Sequence, residues 1–140
     1  MRYLTLEETA VFHGHLGPFL IIGYRAGEVA RRILKPKDEH DLEATIFLPL
    51  RTPYTCIVDG IQCSTKCTLG KLNITVIDNG GNEDNIVIEF KCKRNGKSLK
   101  LRIKGSVIKK LNSFKSISEG ANWVKTLPIE EVLEVIVAPT

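Results

Sequence analysis

Two stretches of this chain carry side chains able to do chemistry. The first is His13-Gly14-His15, just ahead of Gly17-Pro18. The second runs from Cys56 to Lys71 and places three of the four cysteines, Cys56, Cys63 and Cys67, within twelve residues. Imidazole and thiolate together suit borderline or soft transition ions. If the second stretch is helical throughout, about 100° per residue puts Cys56, Gly60, Cys63 and Cys67 on one stripe. At about 1.5 Å of rise per residue, however, three thiols over three turns span roughly 16 Å and cannot share one ion. The spacing matches no zinc-finger pattern. From the residues alone, either Cys56 or Cys67 can join a histidine, with Cys63 left as a core residue. Cysteines packed on a buried helix face explain the stripe equally well. Asp59 and Gln62 add acceptors on neighbouring faces, and Lys66 and Lys71 can lower a nearby thiol pKa.

Alternate side chains of an extended backbone point the same way, so His13 and His15 can face one ligand. Pro18 places them at the start of a helix, whose free N–H groups favour an anion or thiolate. A lone His-x-His is more often one locally bonded ring and one exposed ring.

The elements that must position these residues are legible. Residues 6–12 form a short helix, with Thr5 as N-cap and Glu8 completing a capping box. Residues 18–34 form a second helix with Phe19, Ile22, Ala26, Val29 and Ile33 inward and Arg25, Glu28, Arg31 and Arg32 wet. Gly23 and Gly27 are helix neighbours, and such glycines point to close approach by another element or a second subunit. Strands are expected at 43–48, at 72–77 with Leu72, Ile74 and Val76 on one face, and at 85–93 and 98–104. Asn95-Gly96 makes the last two a hairpin. Ile86, Ile88, Phe90, Cys92, Leu99, Leu101 and Ile103 give that hairpin a core face, while its lysines and Arg102 give a basic one. That basic face reads as a solvated surface before an anion site. Helices over 107–111 and 117–127, with Trp123 as the largest core candidate, precede a closing strand at 135–137. The sum is a single α+β domain, a mostly antiparallel sheet packed against helices.

Composition narrows the function classes. A net charge of +4 and few, scattered aromatics make nucleic acid a weak option. No apolar run approaches the roughly 18 residues of a membrane span, and the acidic N-terminal stretch is no signal peptide. A cytoplasmic protein with reduced thiols is expected.

Taken in order, His13-Gly14-His15, then Cys56, Asp59 and Gln62, then Cys67-Thr68-Leu69-Gly70-Lys71 resemble the core domain of the FmdE family, named for its association with formylmethanofuran dehydrogenase. Residues 12–73 carry the resemblance, Tyr24-Arg25-Ala26 included. It implies an α+β core, often dimeric, with a site built from His13, His15, Cys56 and Cys67. The implied cofactor is a transition-metal ion, zinc first and nickel or iron as alternatives. Asp59 and Gln62 are then the catalytic candidates, and an ion with an open position can activate water or polarise a carbonyl. The family's first motif typically reads His-Gly-His-x-Cys-Pro-Gly, where this chain has Gly17 and Phe19, so one thiol is missing. No cysteine follows Cys92, so the C-terminal zinc finger of many relatives is not expected. Two other readings stand beside the metal site. One is a non-catalytic accessory subunit or small-ligand module of a larger redox complex, whereas the metal-site reading makes the chain an enzyme or subunit linked to formylmethanofuran dehydrogenase and one-carbon metabolism of the methanogenic type. The other is a thiol redox protein using Cys63 and Cys67.

Overall fold

The computed structural model describes residues 1–139. Its elements are α1 (Leu6–His13), α2 (Pro18–Leu34), β1 (Leu42–Leu48), α3 (Cys56–Thr65), β2 (Ile74–Asp78), β3 (Val87–Cys92), β4 (Ser98–Ile103), α4 (Gly105–Leu111), α5 (Ile117–Thr126), α6 (Ile129–Val132) and β5 (Leu133–Val137). The strands make one sheet in the order β2-β1-β3-β4-β5. Three of its pairings are antiparallel, as expected of this α+β fold. The fourth, β1 with β2, is parallel. Parallel neighbours need a crossover, and α3, the cysteine-bearing helix, provides it.

Local chemistry sets the two helices that flank the histidines. The Thr5 hydroxyl accepts from the Glu8 N–H, and the Glu8 carboxylate accepts from the Thr5 N–H, closing the capping box. Helix α1 stops at Gly14, whose φ of 114° only glycine adopts comfortably. Helix α2 restarts with Gly17 as N-cap and Pro18 in its first turn. It is the central helix, packed on β3 and β4, on α5 and on α3. Leu20, Ile21 and Ile22 are fully buried, each contributing about 1.5–3 kcal/mol by leaving water.

Gly23 and Gly27 have a partner within the chain. A Cβ on Gly23 would lie 2.8 Å from the Ile57 carbonyl carbon, and one on Gly27 would lie 2.8 Å from Ser64 Cβ. Gly60 answers from α3, where a Cβ would meet Tyr24 N at 2.5 Å. The close approach is therefore α3 against α2, not a second subunit.

Several expectations need correction. Arg25 is no solvated residue; its guanidinium donates to the carbonyls of Val124 and Leu127 and ties α2 to the end of α5. Trp123 is only partly buried, stacked at a tilt on Phe114. Strand β2 begins at Ile74, because Leu72 sits exposed in the left-handed region with φ 57°. Next to it the buried Asn73 side chain donates to the carbonyls of Glu39 and Leu42. The hairpin core face is buried throughout, Cys92 included. Its opposite face is interleaved with acids, pairing Lys93 with Glu43, Lys100 with Glu89 and Arg102 with Glu134. No helix among the described residues is long and apolar enough to cross a membrane.

Candidate functional site

The two histidines meet because α1 ends between them. His13 is the last residue of α1, and the left-handed Gly14 turns the chain so that His15 comes back beside it. Their ring centroids are 4.8 Å apart at 43°. A helix cap, not an extended segment, achieves this.

Helix α3 supplies the orienting group. His13 Nδ1 lies 2.6 Å from Asp59 Oδ2. A carboxylate only accepts, so Nδ1 carries the proton, and in the neutral ring Nε2 presents its lone pair. That Nε2 is buried and has no hydrogen-bond partner among the described residues. A carboxylate that fixes an imidazole while the far nitrogen stays free is the arrangement of metal-ligating histidines. Asp59 is held in turn, since Gln62 Nε2 donates to its Oδ1 at 3.2 Å. Gln62 Oε1 then accepts from the Leu69 N–H at 3.0 Å. Asp59 and Gln62, both read from the sequence as reactive, thus form a chain of bonds behind His13.

His13, His15 and Cys56 line one cavity of about 240 Å³. Its floor is the first turn of α2, from Gly17 to Leu20. Its far wall comes from Leu111, Asn112, Phe114 and Ile117, around the connection between α4 and α5. Nothing in the sequence marked that wall. It carries no motif, and only the aromatic Phe114 and the Ser116 cap before α5 set it apart. The cavity is mostly apolar, with polar residues on both sides, the histidines on one and Asn112, Lys115 and Ser116 on the other.

Cys67 is not part of this constellation. Helix α3 ends at Thr65, and Lys66 caps it in the left-handed region at φ 68°, so the stripe does not reach Cys67. The Cys67 thiol is fully buried and donates to the Leu42 carbonyl of β1 at 3.3 Å. Cys63 is buried as well and faces a different cavity, shared with Gln62. Among the described residues, no three His, Cys, Asp or Glu side chains converge on one ion position. His13, His15 and Cys56 line one cavity without meeting at a single ion position.

Burial pushes all three of these thiols above their ordinary pKa, with the Asp59 charge adding to the effect at Cys56 and Cys63. A raised pKa leaves less thiolate at neutral pH, and thiolate is the reactive form. This disfavours a redox pair at Cys63 and Cys67. Iodoacetamide applied to the native protein near pH 7.5 should modify Cys56 first and spare Cys67 and Cys92. Mass spectrometry of the digest would show it, and rapid labelling of Cys67 would contradict the packing.

The comparison with known proteins agrees with this frame. A family model described as "FmdE, Molybdenum formylmethanofuran dehydrogenase operon" matches residues 12–134. The chain belongs to the FmdE family. It is also 35% identical over 79 residues to a "Probable S-adenosyl-L-methionine-binding protein" of Archaeoglobus fulgidus. That alignment takes in 54% of this chain and 21% of the relative, so the chain spans only about a fifth of that protein. The FmdE match takes in both His-Gly-His and the cysteine segment, and extends over the hairpin and α5.

Proposed function

We propose that this FmdE-family protein binds one transition-metal ion through His13 and His15, with Cys56 beside them, and offers it to a small ligand in the adjoining cavity. The observation that carries this reading is the buried, unpartnered Nε2 of His13, on a ring fixed by Asp59. Leaving a buried polar atom unpaired costs about 1–3 kcal/mol, and a bound ion removes that cost. Zinc is the first choice for mixed nitrogen and sulfur donors, with nickel and iron next. When bound, such an ion supplies Lewis acidity toward a carbonyl or water. The chain's own residues orient it: Asp59 holds the His13 proton on Nδ1, Gln62 holds Asp59, and the apolar wall at Leu111 and Phe114 limits water. Cys67 has a structural place in this reading, not a ligating one.

The test is metal content. Protein stripped with chelator, reconstituted with zinc, nickel or iron in turn, then dialysed, should retain about one ion per chain. Retention of none would overturn the reading. Gly17 offers a second handle, since a Cβ built there lies 3.3 Å from His15 Nε2. Relatives of this family typically carry cysteine at that point of the motif. Gly17→Cys should therefore add a thiolate and tighten metal binding at least about tenfold, as read by competition with a fluorescent chelator.

The operon description of the family supports an accessory role beside a larger redox enzyme; a cytoplasmic homodimer is part of the same proposal. The Archaeoglobus relative's name adds S-adenosyl-L-methionine as a ligand to titrate into metal-free and metal-loaded protein. Co-purification of no partner and a stable monomer at micromolar concentration would count against the accessory role.

A further inference from the structure

The family's second motif ends away from the histidines, in a larger cavity of about 550 Å³ beside the C-terminal end of α3. Three cations line it, Arg2, Lys66 and Lys71, against one carboxylate, Glu39. Arg2 is already engaged by Glu8 at 3.1 Å, and Glu39 lies 3.5 Å from His40 Nε2. The two lysines have no carboxylate within ion-pair reach among the described residues.

Both lysines are held in place without being neutralised. Lys66 occupies the left-handed cap of α3, its Nζ 5.7 Å from the Tyr3 ring. Lys71 Nζ donates to Thr68 Oγ1 at 2.7 Å. The loop between them is itself pinned, with the Thr68 N–H donating to Asn73 Oδ1 and the Leu69 N–H donating to Gln62 Oε1. At its tip the Gly70 N–H donates to no group among the described residues, and a Cβ there would meet nothing. Two large apolar side chains left in water line the same cavity, Phe12 at 60% exposure and Leu69 at 71%. A ligand that matches both halves carries negative charge and an apolar body. Fixed donors lower the ordering cost of holding an anion, and a glycine N–H lets it approach the backbone closely.

We infer that this cavity is a second binding site, separate from the histidine site, for a small organic anion (carboxylate, sulfonate or phosphate) bearing an apolar or aromatic body. Lys66 and Lys71 hold the anion, and Phe12 and Leu69 cover the apolar part. S-adenosyl-L-methionine, with its sulfonium and ammonium groups, carries the wrong charge for it.

Titration with 8-anilinonaphthalene-1-sulfonate, followed by fluorescence, tests the inference on the full chain. Saturable binding is expected, weakened roughly tenfold in Lys66→Gln/Lys71→Gln and by raised salt. Circular dichroism checks that the double variant folds. Lys115→Gln, which touches the histidine cavity instead, should change nothing. Equal binding by the uncharged N-phenyl-1-naphthylamine, lost to the same degree in the double variant, would overturn the charge requirement. An unchanged double variant, a loss in Lys115→Gln, or no binding by the wild type would overturn the site. Inorganic phosphate should compete only weakly; full competition by it would remove the apolar half of the inference. Zinc content is measured on the same double variant and should equal that of the wild type, so failure here leaves the metal reading separately testable.

Discussion

Gly60→Ala should cost at least about 3 kcal/mol and lower the melting temperature by roughly 10 °C. The substituted atom would sit 2.5 Å from Tyr24 N and closer still to the Leu20 carbonyl oxygen. Both neighbours are backbone of α2, so no side chain can swing aside. Relief requires the two helices to part, which opens the core around Ile57 and Ile61. An exposed glycine-to-alanine change in a helix would instead stabilise, by roughly 1 kcal/mol. The sign of the shift, read by thermal or urea unfolding, therefore distinguishes tight helix contact from an ordinary helical glycine. Gly70→Ala is the control, because a Cβ there meets nothing. Because α3 carries Asp59, parting these helices also withdraws the group that orients His13. Loss of stability and loss of the site are then coupled.

The sequence made much of this frame readable where local rules act alone. The capping box at Thr5 and Glu8 and the Pro18 start of α2 depend on neighbours within four residues, and both hold. The Asn95-Gly96 hairpin and its core face follow from turn chemistry and alternation alone. Gly23 and Gly27 announced a close contact correctly, but not its partner, because the answering Gly60 lies on another helix. The reach of α3 was misjudged for a local reason. Nothing in Thr65-Lys66-Cys67 advertises a left-handed lysine cap, so the helical stripe ran one cysteine too far. The parallel β1–β2 pairing escaped too, since a crossover is a property of topology and leaves no period in the chain.

The candidate site divides along the same line. His13 and His15 do lie side by side, but through the αL turn at Gly14 and not through extended alternation. Asp59 stood out by spacing, but its bond to His13 joins residues 46 apart. Such a contact exists only after α1 and α3 have docked. The wall at Leu111 and Phe114 spans the end of α4 and the short connection after it, and only the closed fold shows that it faces the histidines.

Asp59→Asn should weaken zinc binding by about 10–100-fold while leaving the fold intact. Asparagine keeps the volume and one acceptor, so the link to α1 survives as a neutral hydrogen bond. What disappears is the negative charge behind the imidazole, which raises the basicity of Nε2 toward an ion. His13→Ala removes the donor itself and should abolish stoichiometric retention. Cys67→Ser should leave metal content at the wild-type level, since that thiol donates to Leu42 in the core. Any cost there should appear in the melting temperature instead. Competition against a chelator of known affinity, run beside thermal unfolding for all three variants, keeps the two effects apart. Metal lost in Cys67→Ser but retained in His13→Ala would move the site to the far end of α3. Equal retention in all three would remove the ion from this pair of helices altogether. If Asp59→Asn instead loses stability but no affinity, the carboxylate serves only to clamp α1 onto α3. The unpartnered Nε2 would then need another occupant, a small ligand with a donor N–H or O–H, and the cavity beside it is where that ligand would sit.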